Sequence, residues 1–336
     1  MKCLISFFTA LVLTAPWVLV SLWAPGTSAS TSSHDSGVGA PRADHHTHIW
    51  SETAATILTG QSLSPRRPEA VAADRLISEL DSAGIHRAAV LSVAYWFDSP
   101  LRKPPIENEY AKVEAENDWV AAQAARYPRR LAAFFSFNPL KDHALDEIKR
   151  CAKDCRFKGI KLHFANSGVD VRKSGHIESL RRVFRAANER QLPIIVHLWV
   201  PGAYGREHSE TFLQKVVPAA PKIPIQIAHL AASGPGYHSD AALAVFAEAA
   251  ANGDPRMKNV YFDVAGIILG GTPPKKLDLV AKRLRQLGML RILFGSDRAG
   301  TFNVPPGQAW AAFRRLPLTE EEFRTVAENL APYLRS

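Results

Sequence analysis

Cysteine is scarce in this 336-residue chain, which has three: Cys3, Cys151 and Cys155. So few exclude a small disulfide-built domain and any Cys-rich zinc module. The chain also lacks the apolar poverty of a disordered protein, since 46% of its residues are hydrophobic and 22% charged. No Lys/Arg run interleaves with aromatic residues, and none of the usual nucleic-acid-binding signatures occurs, so a nucleic-acid partner is not expected. The excess of Lys+Arg (41) over Asp+Glu (32) reads as a solvated basic surface or as mild attraction for anionic substrates. Several catalytic plans are missing as well. There is no G-x-S-x-G elbow, no H-E-x-x-H and no phosphate-cradling G-x-x-x-x-G-K-[ST]. No N-x-[ST] sequon is present, so nothing here requires glycosylation.

The first stretch differs from the rest. Lys2 is the only charge before Asp35, Leu4 to Trp23 is almost wholly apolar, and Thr27-Ser28-Ala29 supplies small residues before a cut after Ala29. That is the layout of a secretory signal peptide over residues 1–29. Its apolar part is close to the ~20 residues that span a bilayer, so an uncleaved N-terminal membrane anchor is the alternative. Residues 30–41 are polar and rich in Ser and Gly, and read as a flexible linker. A secreted or periplasmic protein is expected, with its folded domain over 42–336. In an oxidising setting Cys151 and Cys155 have the i, i+4 spacing that a helix brings to about 6 Å at Cα. The reading leaves open whether they pair or stay as one packed and one exposed thiol.

From residue 42 onward, short β-rich apolar runs alternate with longer amphipathic stretches. The runs span Arg42–Trp50, Arg87–Ala94, Arg130–Asn138, Phe157–Phe164, Leu192–Trp199, Ile223–Ala231, Asn259–Gly266 and Arg291–Asp297. Segments between them carry helical spacing, such as Leu180, Val183, Phe184 and Ala187. The last helix opens on Thr319 with Glu322 three residues later, a capping-box pattern. Strand-plus-helix units in this number predict an α/β fold of parallel strands joined by right-handed crossovers: a single (β/α)8 barrel of the TIM type, preceded by the signal peptide. An open doubly wound sheet is the alternative, but the Gly-rich loop it usually carries after its first strand is missing.

The strand ends carry the chemistry. Run one ends Asp44-His45-His46-Thr47-His48, run four Lys161-Leu162-His163, run five at His197, run six at His229 and run eight at Asp297. Active sites of such barrels form at the carboxyl ends of several strands at once. Alternation aims His46 and His48 at the mouth and turns His45 and Thr47 toward the helices. On run four it turns Ile160 and Leu162 outward and Lys161 and His163 to the mouth. One histidine alone is usually a packed or solvated residue. Four of them converging with an aspartate suit a borderline divalent cation with an open position for water.

His-x-His on strand one, His197, His229 and the Asp297 of FGSD together resemble the amidohydrolase superfamily. GIKLH at 159–163 and LTEEEF…ENLAPYL at 318–334 resemble its amidohydrolase-related (amidohydrolase 2) branch. The resemblance implies a metal-dependent barrel hydrolase, with some relatives that decarboxylate or open lactones. It implies metal ligands at His46, His48, His197 and Asp297. Asp297 would also act as the proton carrier, and His229 would polarise the substrate carbonyl or orient the water. One Zn2+ is expected, with Mn2+ or Fe2+ as alternatives. Two-metal members of the superfamily use a carboxylated lysine or a glutamate near the end of strand four. Lys161 stands at about that place, either bridging or as an ammonium for a substrate carboxylate.

Further pocket or supporting candidates are His163, Trp199, Tyr204, Arg206 and His208, Tyr95 and Trp96, Arg298 beside Asp297, and Asp263 as a support for the ligands. The function expected is hydrolysis of an amide, ester or lactone bond in a small anionic or aromatic substrate by metal-activated water. Non-oxidative decarboxylation on the same scaffold is the alternative, and a silent binding protein the second. A membrane partner is expected only if the leader is retained.

Overall fold

The computed structural model describes residues 37–59, 69–202, 204–299 and 303–335. The expected leader, its expected cut after Ala29 and the expected linker as far as residue 36 lie outside the described residues. Gly37–Ser336 forms a compact unit of its own.

All eight apolar runs form strands, each shorter than the run that encodes it. They are β1 (Ala43–His48), β2 (Arg87–Leu91), β3 (Leu131–Ser136), β4 (Phe157–His163), β5 (Ile194–His197), β6 (Ile225–Ile227), β7 (Val260–Asp263) and β8 (Ile292–Leu293), with β9 (Arg298–Ala299) close behind β8. The strands pair in parallel in the order β8-β7-β6-β5-β4-β3-β2-β1-β9, one curled nine-stranded sheet of the TIM-barrel-like α/β class. The last run and the residues just past its end serve both edges: β8 in its first half pairs with β7, and β9, directly after Asp297, with β1. Between β8 and β9, Asp297 N–H donates to His46 O at 2.8 Å and His45 N–H to Phe294 O at 2.8 Å.

Strands buried on both faces explain why the runs are continuously apolar. Outward side chains such as Ile160 and Leu162 pack under helices, including Ser174–Glu189, which buries Leu180, Val183, Phe184 and Ala187 as its spacing predicts. Inward ones form a second, smaller cluster of Ala43, Ala89, Leu91, Phe134, Ile195 and Leu293, together with the C-terminal turn residues Ala331, Tyr333 and Leu334. Gly159 is required where it stands, because a Cβ there would lie 2.4 Å from the Phe134 ring and 2.6 Å from Pro193 O. The capping box on Glu320–Glu328 is present in both halves.

One expectation is corrected. His45 does not face the helix layer. Its Nδ1 lies 2.9 Å from Phe294 O, its Nε2 accepts from Ala331 N–H at 3.2 Å, and its ring stands edge-on to Tyr333. The register of β1 against β2 shifts between Asp44 and Thr47, and this irregularity breaks the simple two-residue alternation. Cys151 and Cys155 are both free thiols, one buried and one exposed. The helix Ala144–Cys151 ends at the first of them, so the i, i+4 geometry never forms. Among the described residues, no helix is long and apolar enough to cross a membrane.

Candidate active site

The carboxyl ends of the strands enclose a pocket of about 270 Å³. β1 contributes His46 and His48, β4 Lys161 and His163, and β5 His197. His229 follows β6, and Asp297 sits between β8 and β9. Distant positions in the chain thus meet at one end of the sheet, as parallel strands require. Tyr95, Trp96 and Trp50 line the same space.

Each imidazole nearest the centre is fixed by its rear nitrogen. His46 Nδ1 lies 3.0 Å from Asp263 Oδ2, His48 Nδ1 2.9 Å from Leu91 O, and His229 Nδ1 2.8 Å from Ala265 O. A carboxylate or carbonyl can only accept, so each of these rings is the tautomer with its proton on Nδ1, and a lone pair is left on Nε2. Those lone pairs face the pocket. His46 Nε2 is 3.4 Å and His48 Nε2 3.5 Å from Asp297 Oδ1. Ligand atoms of His46, His229 and Asp297 all lie within 4.8 Å of one another. The His197 ring sits 5.0 Å from the His229 ring, and its buried Nε2 has no hydrogen-bond partner. An orphaned buried nitrogen beside outward-facing lone pairs and a carboxylate fits a borderline divalent cation. His229 belongs to the tightest group of three, although the sequence reading set it beside the ligands; His48 and His197 stand next to that group.

Burial controls the charge states. It pulls the His46 imidazolium down to about 3, with the Lys161 ammonium adding to the effect, and so favours the neutral ring that a ligand must be. Burial also holds His163 and His197 well below the usual range. Lys161 is brought down to about 8 by burial, against the pull of Asp263 and Asp297. Its Nζ lies 3.3 Å from His46 Nε2. Burial opposes ionisation of Asp297, yet His229, His48 and His46 hold its carboxyl below the ordinary range.

Asp263 organises the floor. Its Oδ2 also accepts from Gln226 Nε2 at 2.7 Å, and its Oδ1 from the backbone N–H of His229 at 2.9 Å and of Ala265 at 3.2 Å. Gln226 Oε1 in turn accepts from the Tyr333 hydroxyl, so the C-terminal turn reaches the site through side chains alone. Asp44 Oδ1 accepts from the N–H groups of His46 and Ser296.

Local backbone strain concentrates here too. His229, Leu230 and Ala231 take φ of 54°, 49° and 59°, and Asp297 takes 56°. Non-glycine residues rarely occupy that left-handed region, at a cost of about 1–2 kcal/mol each. The surrounding hydrogen bonds hold them there, including Asn303 Nδ2 to Asp297 Oδ2 at 2.8 Å. Gly295 of FGSD is needed because a Cβ would lie 2.9 Å from His46 Cβ.

Other candidates separate by position. His163 lines the pocket, its ring 4.0 Å from His197 and 4.9 Å from Tyr95. Trp199 is half-buried behind His197, at 6.4 Å between rings. Tyr204 and His208 pack on one another at 5.5 Å and do not line the pocket. Arg206 is corrected: it is exposed and paired with Glu248 at 2.7 Å and Glu210 at 3.2 Å, away from the pocket lining. Arg298 is corrected as well: its guanidinium makes a fork of two 2.7 Å bonds to Glu79 and turns from the mouth. Asn166, Ser233, Asn303 and Trp50 line the pocket without having been singled out. Loop residues with no motif around them leave no periodic signal to find.

A family profile described as amidohydrolase matches residues 43–329. Among solved structures, the chain is similar to 5-carboxyvanillate decarboxylase from Novosphingobium aromaticivorans, determined with bound manganese. That match has 14% identity and TM-score 0.61 over 89% of this chain and 98% of that one. It is similar to 2,6-dihydroxybenzoate decarboxylase from Rhizobium, at 15% identity and TM-score 0.54 over 86% and 96%. It is also similar to a probable 2-pyrone-4,6-dicarboxylic acid hydrolase from Acinetobacter baumannii with citric acid bound, at 15% identity and TM-score 0.53 over 85% and 96%. Identities this low show a shared fold. No curated protein gives a significant sequence match.

Proposed function

The chain belongs to the amidohydrolase family, and from that membership we propose a metal-dependent hydrolase that cleaves an amide, ester or lactone bond in a small anionic or aromatic substrate. The observation that carries the reading is the convergence of His46, His229 and Asp297 within 4.8 Å, with His48 and His197 beside them. Those residues would hold one divalent cation, Zn2+ by the imidazole–carboxylate donor set, with Mn2+ or Fe2+ as alternatives. A cation there supplies Lewis acidity and lowers the pKa of a water from ~16 toward ~7.

The chain's own groups do the rest. Asp297, ionised and against two imidazoles, takes a proton from the attacking water and hands it to the leaving group. His229, its Nδ1–H tied to Ala265 O and its backbone N–H to Asp263, offers the pocket an Nε2 lone pair and so acts as a ligand for the cation, whose Lewis acidity would carry the charge developing on the substrate oxygen. The Lys161 ammonium, buried at the pocket floor, binds an anionic substituent. Tyr95, Trp96 and Trp50 give a planar substrate apolar walls. The scaffold is read as one closed (β/α)8 barrel, supported by the pairing of β8 with β7 and of β9 with β1. The leader supports a secreted or periplasmic location.

Decarboxylation is a second reading, favoured by the pairing of aromatic walls with a buried ammonium, which suits an aromatic carboxylate. A panel of lactones, esters, amides and aromatic carboxylates offered to the metal-loaded protein tests both. Ring-opened or cleaved products with no CO2 support hydrolysis. CO2 release without hydrolytic product overturns it in favour of decarboxylation, and no turnover at full metal occupancy leaves a binding protein.

A further inference from the structure

The face opposite the active site, where the strands begin, concentrates unpaired positive charge. Basic residues stand at or just before the strand starts: Arg42 before β1, Arg129 before β3, Lys158 in β4, Lys222 before β6 and Lys258 before β7, all exposed. The carboxylates of these loops are already engaged. Asp154 holds Arg156 at 2.6 Å, Asp254 holds Arg256 at 2.5 Å, and Glu189 holds Arg190 at 3.6 Å. Among the described residues, none of these five exposed cations has a carboxylate partner, on a chain whose net charge is +9. Arg42 also lines a polar cleft of about 530 Å³ with His86, Arg87 and Arg335, in which Glu328 is the one acidic residue.

Leu290, 76% exposed and the most exposed large hydrophobic residue described, belongs to the same face, on the turn Met289–Arg291 just before β8. Cations around a protruding leucine are the composition of a surface that meets lipid headgroups and dips into the acyl boundary. Nucleic acid would call for stacking aromatics among the charges, and none of the residues named here is aromatic except His86.

Connectivity points the same way. The chain enters the barrel at this face through Arg42, whose N–H donates to Ala327 O at 2.8 Å. The apolar stretch Leu4 to Trp23 lies upstream by residues 24–41, which span at most roughly 60 Å when extended.

We propose that the strand-start face, with the cleft of Arg42, Arg87 and Arg335, with Lys158, Lys222 and Lys258 at the other strand starts and with Leu290 protruding, docks on the anionic phospholipid headgroups of a membrane. This inference is independent of the reaction performed at the other end.

The test is vesicle co-sedimentation of the full chain and of the compact unit starting at Gly37, on phosphatidylcholine and on phosphatidylglycerol vesicles. The compact unit is expected to bind phosphatidylglycerol only, to release with rising salt, and to lose well over fivefold in partitioning per reversal in the Arg42→Glu, Lys158→Glu, Lys258→Glu series, because each removes a cation worth about fivefold and adds an anion. Leu290→Asp is expected to weaken binding that salt does not abolish. Equal binding to both lipids, phosphatidylglycerol binding indifferent to the three reversals, or tighter binding to duplex DNA than to vesicles would each overturn the proposal. Circular dichroism and metal content of the variants, which lie outside the pocket, separate a folding failure from a lost surface.

Discussion

Asp263 Oδ2 lies 3.0 Å from His46 Nδ1, while the second oxygen of the same carboxylate holds the backbone N–H of His229. One buried aspartate therefore sets both the orientation of one imidazole and the strained backbone of another. Four donors converge on its two oxygens: His46, Gln226, His229 and Ala265. Asp263→Asn puts an NH2 against at least one of these donors. Metal affinity is expected to fall about 10- to 100-fold, with a loss of about 2–3 kcal/mol in stability. Competition with a chromogenic chelator reads the first and urea unfolding the second. Unchanged affinity would remove Asp263 from the support of the site.

Lys161 separates two roles by which quantity moves. As an ammonium for substrate, Lys161→Gln keeps its metal and raises KM for anionic substrates by about tenfold or more, the worth of one charge-assisted contact. As a bridging group it would take metal with it. Metal content and KM measured on the same preparation decide, and loss of metal would contradict the single-ion reading.

Arg298 shows how adjacency in sequence misleads. It directly follows Asp297, yet β9 carries its side chain out to Glu79, where both oxygens are used at 2.7 Å. Glu79→Ala is expected to destabilise the fold by about 2–3 kcal/mol, by leaving a largely buried guanidinium short of its carboxylate. KM should stay within error. A raised KM at unchanged thermal stability would return Arg298 to the substrate.

Acid sensitivity has a local source at the last helix. The Arg285 guanidinium draws the Glu322 carboxyl from 4.5 down to about 2, with burial opposing and the Thr319 N–H assisting. A depressed carboxylate stabilises the fold fully above its unfolded pKa and loses that contribution as pH falls from 4.5 toward 2. Glu322→Gln keeps a capping side chain but not the charge. Thermal unfolding across pH should show the variant lower near neutrality by a few tenths to about 1 kcal/mol, with the gap closing in acid. A gap that persists at the acid end would place the effect in the cap rather than the charge.

The strands were legible because parallel strands sandwiched between two layers read as unbroken apolar runs. Their ends were not. The run at 223–231 yields only Ile225–Ile227 as strand, since His229 to Ala231 turn left-handed. The last run yields only Ile292–Leu293 as strand and pairing resumes just past its end at Arg298–Ala299, because Asp297 takes a positive φ and Gly295 makes room for His46. Periodicity carries no trace of either. His46, Lys161, His163, His197, His229 and Asp297 were legible as strand-end residues. His45 was not, because a shift in register is invisible in composition. Arg206 was misplaced because its partner Glu248 lies on another helix, and pairing across elements leaves no local mark.

Metal content tests the central claim most directly. Plasma mass spectrometry on the purified chain, with His46→Ala and Asp297→Asn prepared alongside, should find about one divalent ion per wild-type chain and far less in both variants, with circular dichroism unchanged. Full retention of metal in both variants would contradict the account.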